Sequence, residues 1–170
     1  MTTADPRATC PECGAPLASG RTCVDYFHDL LALEATVVGA PGAEPHFLAV
    51  AAYNLQHPSS FTPAALVGLQ RTVADVLLGR ATLADARQRA RAAADGPVRV
   101  RRRAGEEVTA AEQAMLAAWP TAWPLTVRDV IAGGADCYEE RVSVWARAVT
   151  AALEAVVDVL PRVRADDLRN

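Results

Sequence analysis

Lysine is missing from this sequence: all 17 basic residues are arginine. Beside so much helix-forming alanine, that bias points to a GC-rich bacterial genome more than to a selected chemistry. Excess positive charge is missing too. The formal net charge is −3, so the molecule as a whole is no general binder of polyanions. No apolar run approaches the ~20 residues needed to cross a bilayer, and the opening MTTADPRATC lacks the apolar core of a signal peptide. These two absences predict a cytoplasmic protein that avoids membranes and keeps its cysteines reduced. A nucleophilic triad, a phosphate-cradling glycine loop and a dinucleotide fingerprint are also missing, as are internal repeats. The 170 residues fit one domain, 1–170, able to bury about 70% of its unfolded surface. Metal is therefore not needed to rescue a tiny core.

Cysteine is the exception. Three of the four cysteines fall within the first 23 residues, Cys10 and Cys13 in the run CPECG and Cys23 beyond it. Two thiolates spaced C-x-x-C, with Gly14 directly behind them, have the shape of a metal knuckle: the turn aims both sulfurs at one spot. In a reducing compartment such a pair binds metal or cycles as a redox dithiol, and the redox form belongs between a strand and a helix. No strand–helix–strand setting surrounds this pair, so zinc is expected.

The rest reads as helix. Apolar spacing predicts a first helix from Cys23 to about Thr36 and a second from His46 to His57, stopped by Pro58. Thr62-Pro63 opens a third helix to about Leu78, and Thr82 with Asp85 opens a fourth ending near Asp95. Residues 96–108 are irregular, with PVRVR as a short strand or strap. Thr109 and Glu112 cap a fifth helix through Trp119, a sixth runs from Thr126 to Ile131, and a last one follows Gly134 to Leu160. The expected fold is all-α, an irregular bundle of six or seven helices (23–160) with an N-terminal zinc knuckle (9–23) and a frayed tail (161–170).

Three soft ligands need a fourth. Helices one and two share a short connection, which predicts antiparallel packing and puts His57, at the end of the second, beside Cys23, at the start of the first. His46 lies roughly 16 Å away along the same helix, at the wrong end. His28 is turned about 140° from Cys23 around its own helix, which strains joint ligation. Cys137, Asp25 and a water remain as further candidates. Cys10, Cys13, Cys23 and His57 are the expected metal set, and a closed Cys3His tetrahedron is structural where an open one is catalytic.

These segments together resemble a bacterial family known only as a domain of unknown function. The likeness lies in Cys10-Pro11-Glu12-Cys13-Gly14, Cys23, the histidine-led second helix from His46, and Tyr53 through Gln56-His57-Pro58. It continues in Thr126-Val127-Arg128-Asp129-Val130 and the pair Trp145-Ala146. The resemblance implies functional positions at Cys10, Cys13, Cys23 and either His57 or His46, and it implies no activity.

Four other features carry weaker signals. Seven arginines lie between Arg87 and Arg103, a phosphate-contacting face or a solvated one; without interleaved aromatics, nucleic acid is not the expected partner. Tyr53 is expected to pack beside His57, with Gln56 orienting its imidazole. Trp119, Trp123 and Trp145 are expected to anchor the core, their indole N–H groups reaching carbonyls. Asp136, Glu139 and Glu140 near Cys137 form either a second metal cluster or the acidic first turn of the last helix. The expected function is a binding or regulatory module with a structural Zn2+, its partner another protein or a second copy. The alternatives are a hydrolase or transferase with an open zinc and a nucleic-acid binder using Arg87–Arg103.

Overall fold

The structure, a computed structural model, describes residues 8–39, 43–96, 99–103, 105 and 107–159. Seven helices account for most of them: α1 (Cys23–Val37), α2 (Glu44–Gln56), α3 (Pro63–Leu77), α4 (Leu83–Asp95), α5 (Ala110–Ala118), α6 (Val127–Ala132) and α7 (Tyr138–Val159). No strand forms among the described residues, only isolated bridges. The expected tail, 161–170, lies outside them. No helix among them is long and apolar enough to cross a membrane.

Threonine starts most of these helices. At Thr22, Thr82, Thr109 and Thr126 an acid three residues on returns to the threonine backbone N–H, at 2.7, 2.8, 2.9 and 2.7 Å. Each such box satisfies donors that the first helical turn leaves unpaired, worth about 1 kcal/mol. At α3 the Thr62 hydroxyl accepts from the Ala65 N–H, ahead of Pro63. Helix α2 begins at Glu44, two residues before the expected His46, because Pro45 sits in its first turn, where a missing N–H costs nothing. Helix α7 begins at Tyr138 rather than straight after Gly134, since Cys137 adopts φ 51 and breaks the helical run. A 3₁₀ turn at Pro58–Ser60, unforeseen from the sequence, joins α2 to α3.

Helix α2 is apolar on nearly every side, so it becomes the centre of the bundle. It packs chiefly along α7, with α3 against both, while α1 packs chiefly on α6 and touches α2 along one edge. That edge is antiparallel. Glu34, near the end of α1, meets His46, near the start of α2, and the Phe27 and Tyr53 rings stack midway with centroids 4.0 Å apart. Residues 99–103 form a strap, not a strand: Thr62 N–H reaches the Val100 carbonyl and Arg102 N–H the Ser60 carbonyl, around one bridge between Phe61 and Arg101. Pro97 and Val98, which open the alternating run, lie outside the described residues.

Two tryptophans hold the end of α2 through polar contacts inside the core. Trp119 donates its indole N–H to the Leu55 carbonyl at 2.7 Å. Trp145 donates to Gln56 Oε1, and the Gln56 amide donates in turn to the Leu125 carbonyl at 2.7 Å. This corrects the expected role of Gln56: its side chain is fully buried between α7 and the 119–126 corner, and it does not orient His57. The residue after it, where α2 ends, therefore has a fixed position.

Candidate metal centre

The knuckle is a tight loop closed by its own backbone. Cys10 N–H donates to the Ala15 carbonyl, Gly14 N–H to the Cys10 carbonyl, and Leu17 N–H to the Ala8 carbonyl, at 2.9, 2.9 and 2.8 Å. Gly14 sits at φ +72, and a Cβ there would lie 3.0 Å from the Thr121 carbonyl oxygen, so both conformation and space call for glycine. The loop is fastened at three points. Trp123 donates its indole N–H to the Glu12 carbonyl at 3.3 Å, and Arg128 donates to the Pro16 carbonyl at 2.9 Å. The Tyr26 hydroxyl accepts from Ala18 N–H and Arg128, while Arg21 and Arg128 lie over its ring at 4.3 and 4.6 Å.

Helix α1 delivers Cys23 from its first turn and the end of α2 delivers His57. One ligand atom from each of Cys10, Cys13, Cys23 and His57 lies within 4.8 Å of all the others. Cys13 Sγ is 3.5 Å from Cys23 Sγ, and Cys10 Sγ is 3.6 Å from His57 Nε2. Zinc bonds of about 2.3 Å to sulfur and 2.0 Å to nitrogen imply ligand spacings near 3.5–3.8 Å in a tetrahedron. The donor set fits such an ion in number, softness and spacing. Its cysteines are nearly sealed from solvent, at 6%, 1% and 6% exposure. All four cysteines of the chain are free thiols.

The imidazole is held from the side away from the sulfurs. Tyr53 stacks on it with ring centroids 4.0 Å apart, and the Tyr53 carbonyl accepts from Nδ1 at 2.7 Å. A carbonyl only accepts, so the proton sits on Nδ1 and the Nε2 lone pair faces the sulfurs, the tautomer a metal ligand needs.

Charge among these groups is shared unevenly. The Cys13 thiol is pushed down to about 4, chiefly because Cys23 donates a hydrogen bond to its sulfur and then because His57 faces it. Cys23 goes far up for the converse reason, holding its proton toward Cys13, with burial adding to the effect. Burial also raises Cys10. For His57, burial opposes the charged form, but the Cys13 sulfur and the Tyr53 carbonyl outweigh it and the imidazole is raised. Without a metal the pocket thus favours ionisation at Cys13 and disfavours it at Cys10 and Cys23, so a divalent cation bound to all three sulfurs would have to displace protons.

Residues 8–154 match the family of unknown function DUF5946. The chain belongs to that family. No curated protein and no solved structure matches it. Membership covers the knuckle, all seven helices but the end of α7, and every donor of the cluster.

The remaining candidate ligands lie elsewhere. Asp25 is committed to the Thr22 capping box, which also holds its carboxyl below the usual range. His28 and Cys137 are exposed and outside the cluster. His46 pairs through Nδ1 with Glu34 Oε1 at 2.7 Å, and Tyr138 donates its hydroxyl to Glu34 Oε2 at 2.9 Å. This Tyr138–Glu34–His46 chain was not read from the sequence. Its only signal was an acid, Glu34, on the apolar face of α1.

The acids around Cys137 form no second metal group among the described residues. Several arginines of the basic segment serve the fold. Arg89 pairs with Asp75 at 2.8 Å, Arg101 lies 5.0 Å over the Phe61 ring, and Arg102 donates to the Phe61 carbonyl at 2.9 Å.

Proposed function

We propose that this protein is a zinc-stapled helical module that binds or regulates a partner protein. Cys10, Cys13, Cys23 and His57 hold a structural Zn2+ that locks the knuckle onto the end of the α1–α2 pair. The observation that carries the reading is the convergence of four donor atoms within 4.8 Å, contributed by three separated segments. Three thiolates and one imidazole close a tetrahedron and leave no position for an activated water, so the centre organises structure instead of doing chemistry. The reading places the protein in a reducing cytoplasm, where adjacent thiols stay available for metal.

Elemental analysis of protein purified without added metal tests this directly. One zinc per chain is expected; less than about 0.2 per chain, with four titratable thiols, overturns the assignment. Cys13→Ser is expected to release the metal and loosen the knuckle end of α1. The helical signal should survive, because α2, α3 and α7 pack on one another without the knuckle. Unchanged zinc content in that variant overturns the ligand set.

A further inference from the structure

Charge is spread very unevenly along this chain. Residues 80–103 hold eight arginines against two acids, Asp85 and Asp95, whereas the remainder holds nine arginines against eighteen acids. All eight but Arg102 are exposed. The packing explains why. Helix α4 lies chiefly against α3 and buries only Ala86, so its arginines stay in water. The strap at 99–103 alternates: Arg99, Arg101 and Arg103 are exposed, while Val100 packs against the core. Arg102, its side chain 11% exposed, fastens the strap to the Phe61 carbonyl and to Glu112. Extended backbone sets such alternate side chains about 6.6 Å apart.

This face is left electropositive at two points within α4. Asp75 serves two guanidiniums at once, Arg80 at 3.2 Å and Arg89 at 2.8 Å, and their side chains remain 62% and 48% exposed. With Gln88 they line an open hollow of about 430 Å³. Asp85 lines it too, but its Oδ2 already accepts from the Thr82 N–H and hydroxyl. Arg87 and Arg91, one helical turn apart on the same flank, have no acidic partner among the described residues.

The occupant must be anionic, and its size follows from the surroundings. Screening at physiological salt confines the field to about 8 Å. A long polyanion or a membrane surface extends past the patch and meets the acidic remainder of the molecule. A short acidic segment ends inside it. Residues 80–103 include no aromatic ring on which bases could stack, and Phe61, beneath Arg101, is only 7% exposed.

We propose that α4 and the strap after it dock an acidic segment of a partner polypeptide, its carboxylates meeting Arg87, Arg91, Arg101 and the Arg80–Arg89 hollow. Guanidinium suits this task because its forked donors match a carboxylate. The proposal rests on the binding-module reading and names the chemistry of the partner that such a module takes.

The test is fluorescence anisotropy with the full chain, its zinc content measured on the same sample. The labelled probes are an end-capped peptide alternating glutamate with alanine, its glutamine counterpart, and a double-stranded RNA. The glutamate peptide is expected to bind about tenfold or more tighter than the glutamine peptide, and to lose affinity as salt rises. Arg87→Glu with Arg91→Glu, helical signal retained, is expected to weaken it about tenfold. Arg101→Gln with Arg103→Gln is expected to weaken it as well, and gives the same reading should the α4 pair disturb that helix. Arg147→Glu, an exposed charge reversal on α7, is expected to leave binding unchanged.

Equal binding of the glutamate and glutamine peptides overturns the proposal, as do indifference to both arginine pairs, an equal loss with Arg147→Glu, or RNA bound as tightly as the glutamate peptide. Self-association of the unaltered chain that Arg87→Glu with Arg91→Glu abolishes gives the face to a second copy and overturns it too. A zinc-loaded sample that fails to discriminate overturns the docking face and leaves the metal reading standing. A zinc-free sample that still discriminates supports the docking face and overturns the metal reading.

Discussion

Tyr53 grips His57 twice, with its ring stacked on the imidazole at 4.0 Å and its own backbone carbonyl accepting from Nδ1 at 2.7 Å. The i to i+4 spacing at the end of α2 makes both contacts available to one residue, since the last helical carbonyls lack backbone donors. Helix termination and ligand orientation thereby become the same event, and Pro58 fixes where it happens. Phe27 of α1 stacks on the far face of Tyr53, so the helix that carries Cys23 also backs the imidazole.

Replacing His57 by Ala is expected to weaken zinc binding by more than the roughly 10–100-fold that loss of an outer-shell partner causes. His46→Ala should leave the affinity unchanged, because that imidazole faces Glu34 at the far end of the α1–α2 edge. A chelator competition titration separates the two. Metal loss from the His46 variant alone would mean that the ligand set is wrong.

Gly14→Ala is expected to destabilise the zinc-loaded protein by about 1–2 kcal/mol for the left-handed backbone. Crowding against the Thr121 carbonyl, 3.0 Å from the added Cβ, comes on top of that. Urea unfolding monitored by helical signal measures it. A variant as stable as the parent would show that the knuckle does not press on the 119–126 corner.

Tyr138→Phe removes the hydroxyl donor from Glu34 Oε2 and leaves a carboxylate only 5% exposed with one fewer partner. A loss of about 1–3 kcal/mol is expected, with zinc content unaltered because this chain lies at the other end of the bundle. Equal melting temperatures for variant and parent would mean that solvent already satisfies that oxygen.

Zinc affinity is expected to fall as pH falls. Cys10 and Cys23 are raised above the usual thiol range in the metal-free pocket, by burial and by hydrogen bonding to Cys13 respectively. Both are therefore protonated at neutral pH, and binding must release those protons; acid opposes the release and alkali favours it. Calorimetry in buffers of different ionisation enthalpy counts the protons. Zinc uptake with no proton release would show that the thiols were already ionised.

Local order in this protein is legible residue by residue. The threonine caps, the prolines after α2 and at the start of α3, and the 3.6-residue apolar spacing are interactions between neighbours in sequence. They placed six helix starts within about two residues, well inside the usual scatter of helix ends. Cys137 shows the limit: its positive φ delays α7 to Tyr138, and no short-range signal marks it. The strap at 99–103 likewise takes its shape from Ser60, Phe61 and Thr62, nearly forty residues earlier.

The helices and the knuckle were legible in the sequence, and His57 was the favoured partner of the knuckle among several candidate fourth ligands. A Cys-x-x-Cys turn is a local object, and a short connection constrains two helices to run antiparallel. What each polar side chain in the interior does emerged from packing across the chain. Gln56 looks like a partner for His57 and instead joins Trp145 to Leu125; Glu34 looks misplaced on an apolar face and is met by Tyr138 and His46. A buried polar atom must find a donor or acceptor wherever the packed chain supplies one. In these cases the supplier lay from 12 to 104 residues away along the chain, beyond the reach of any local pattern.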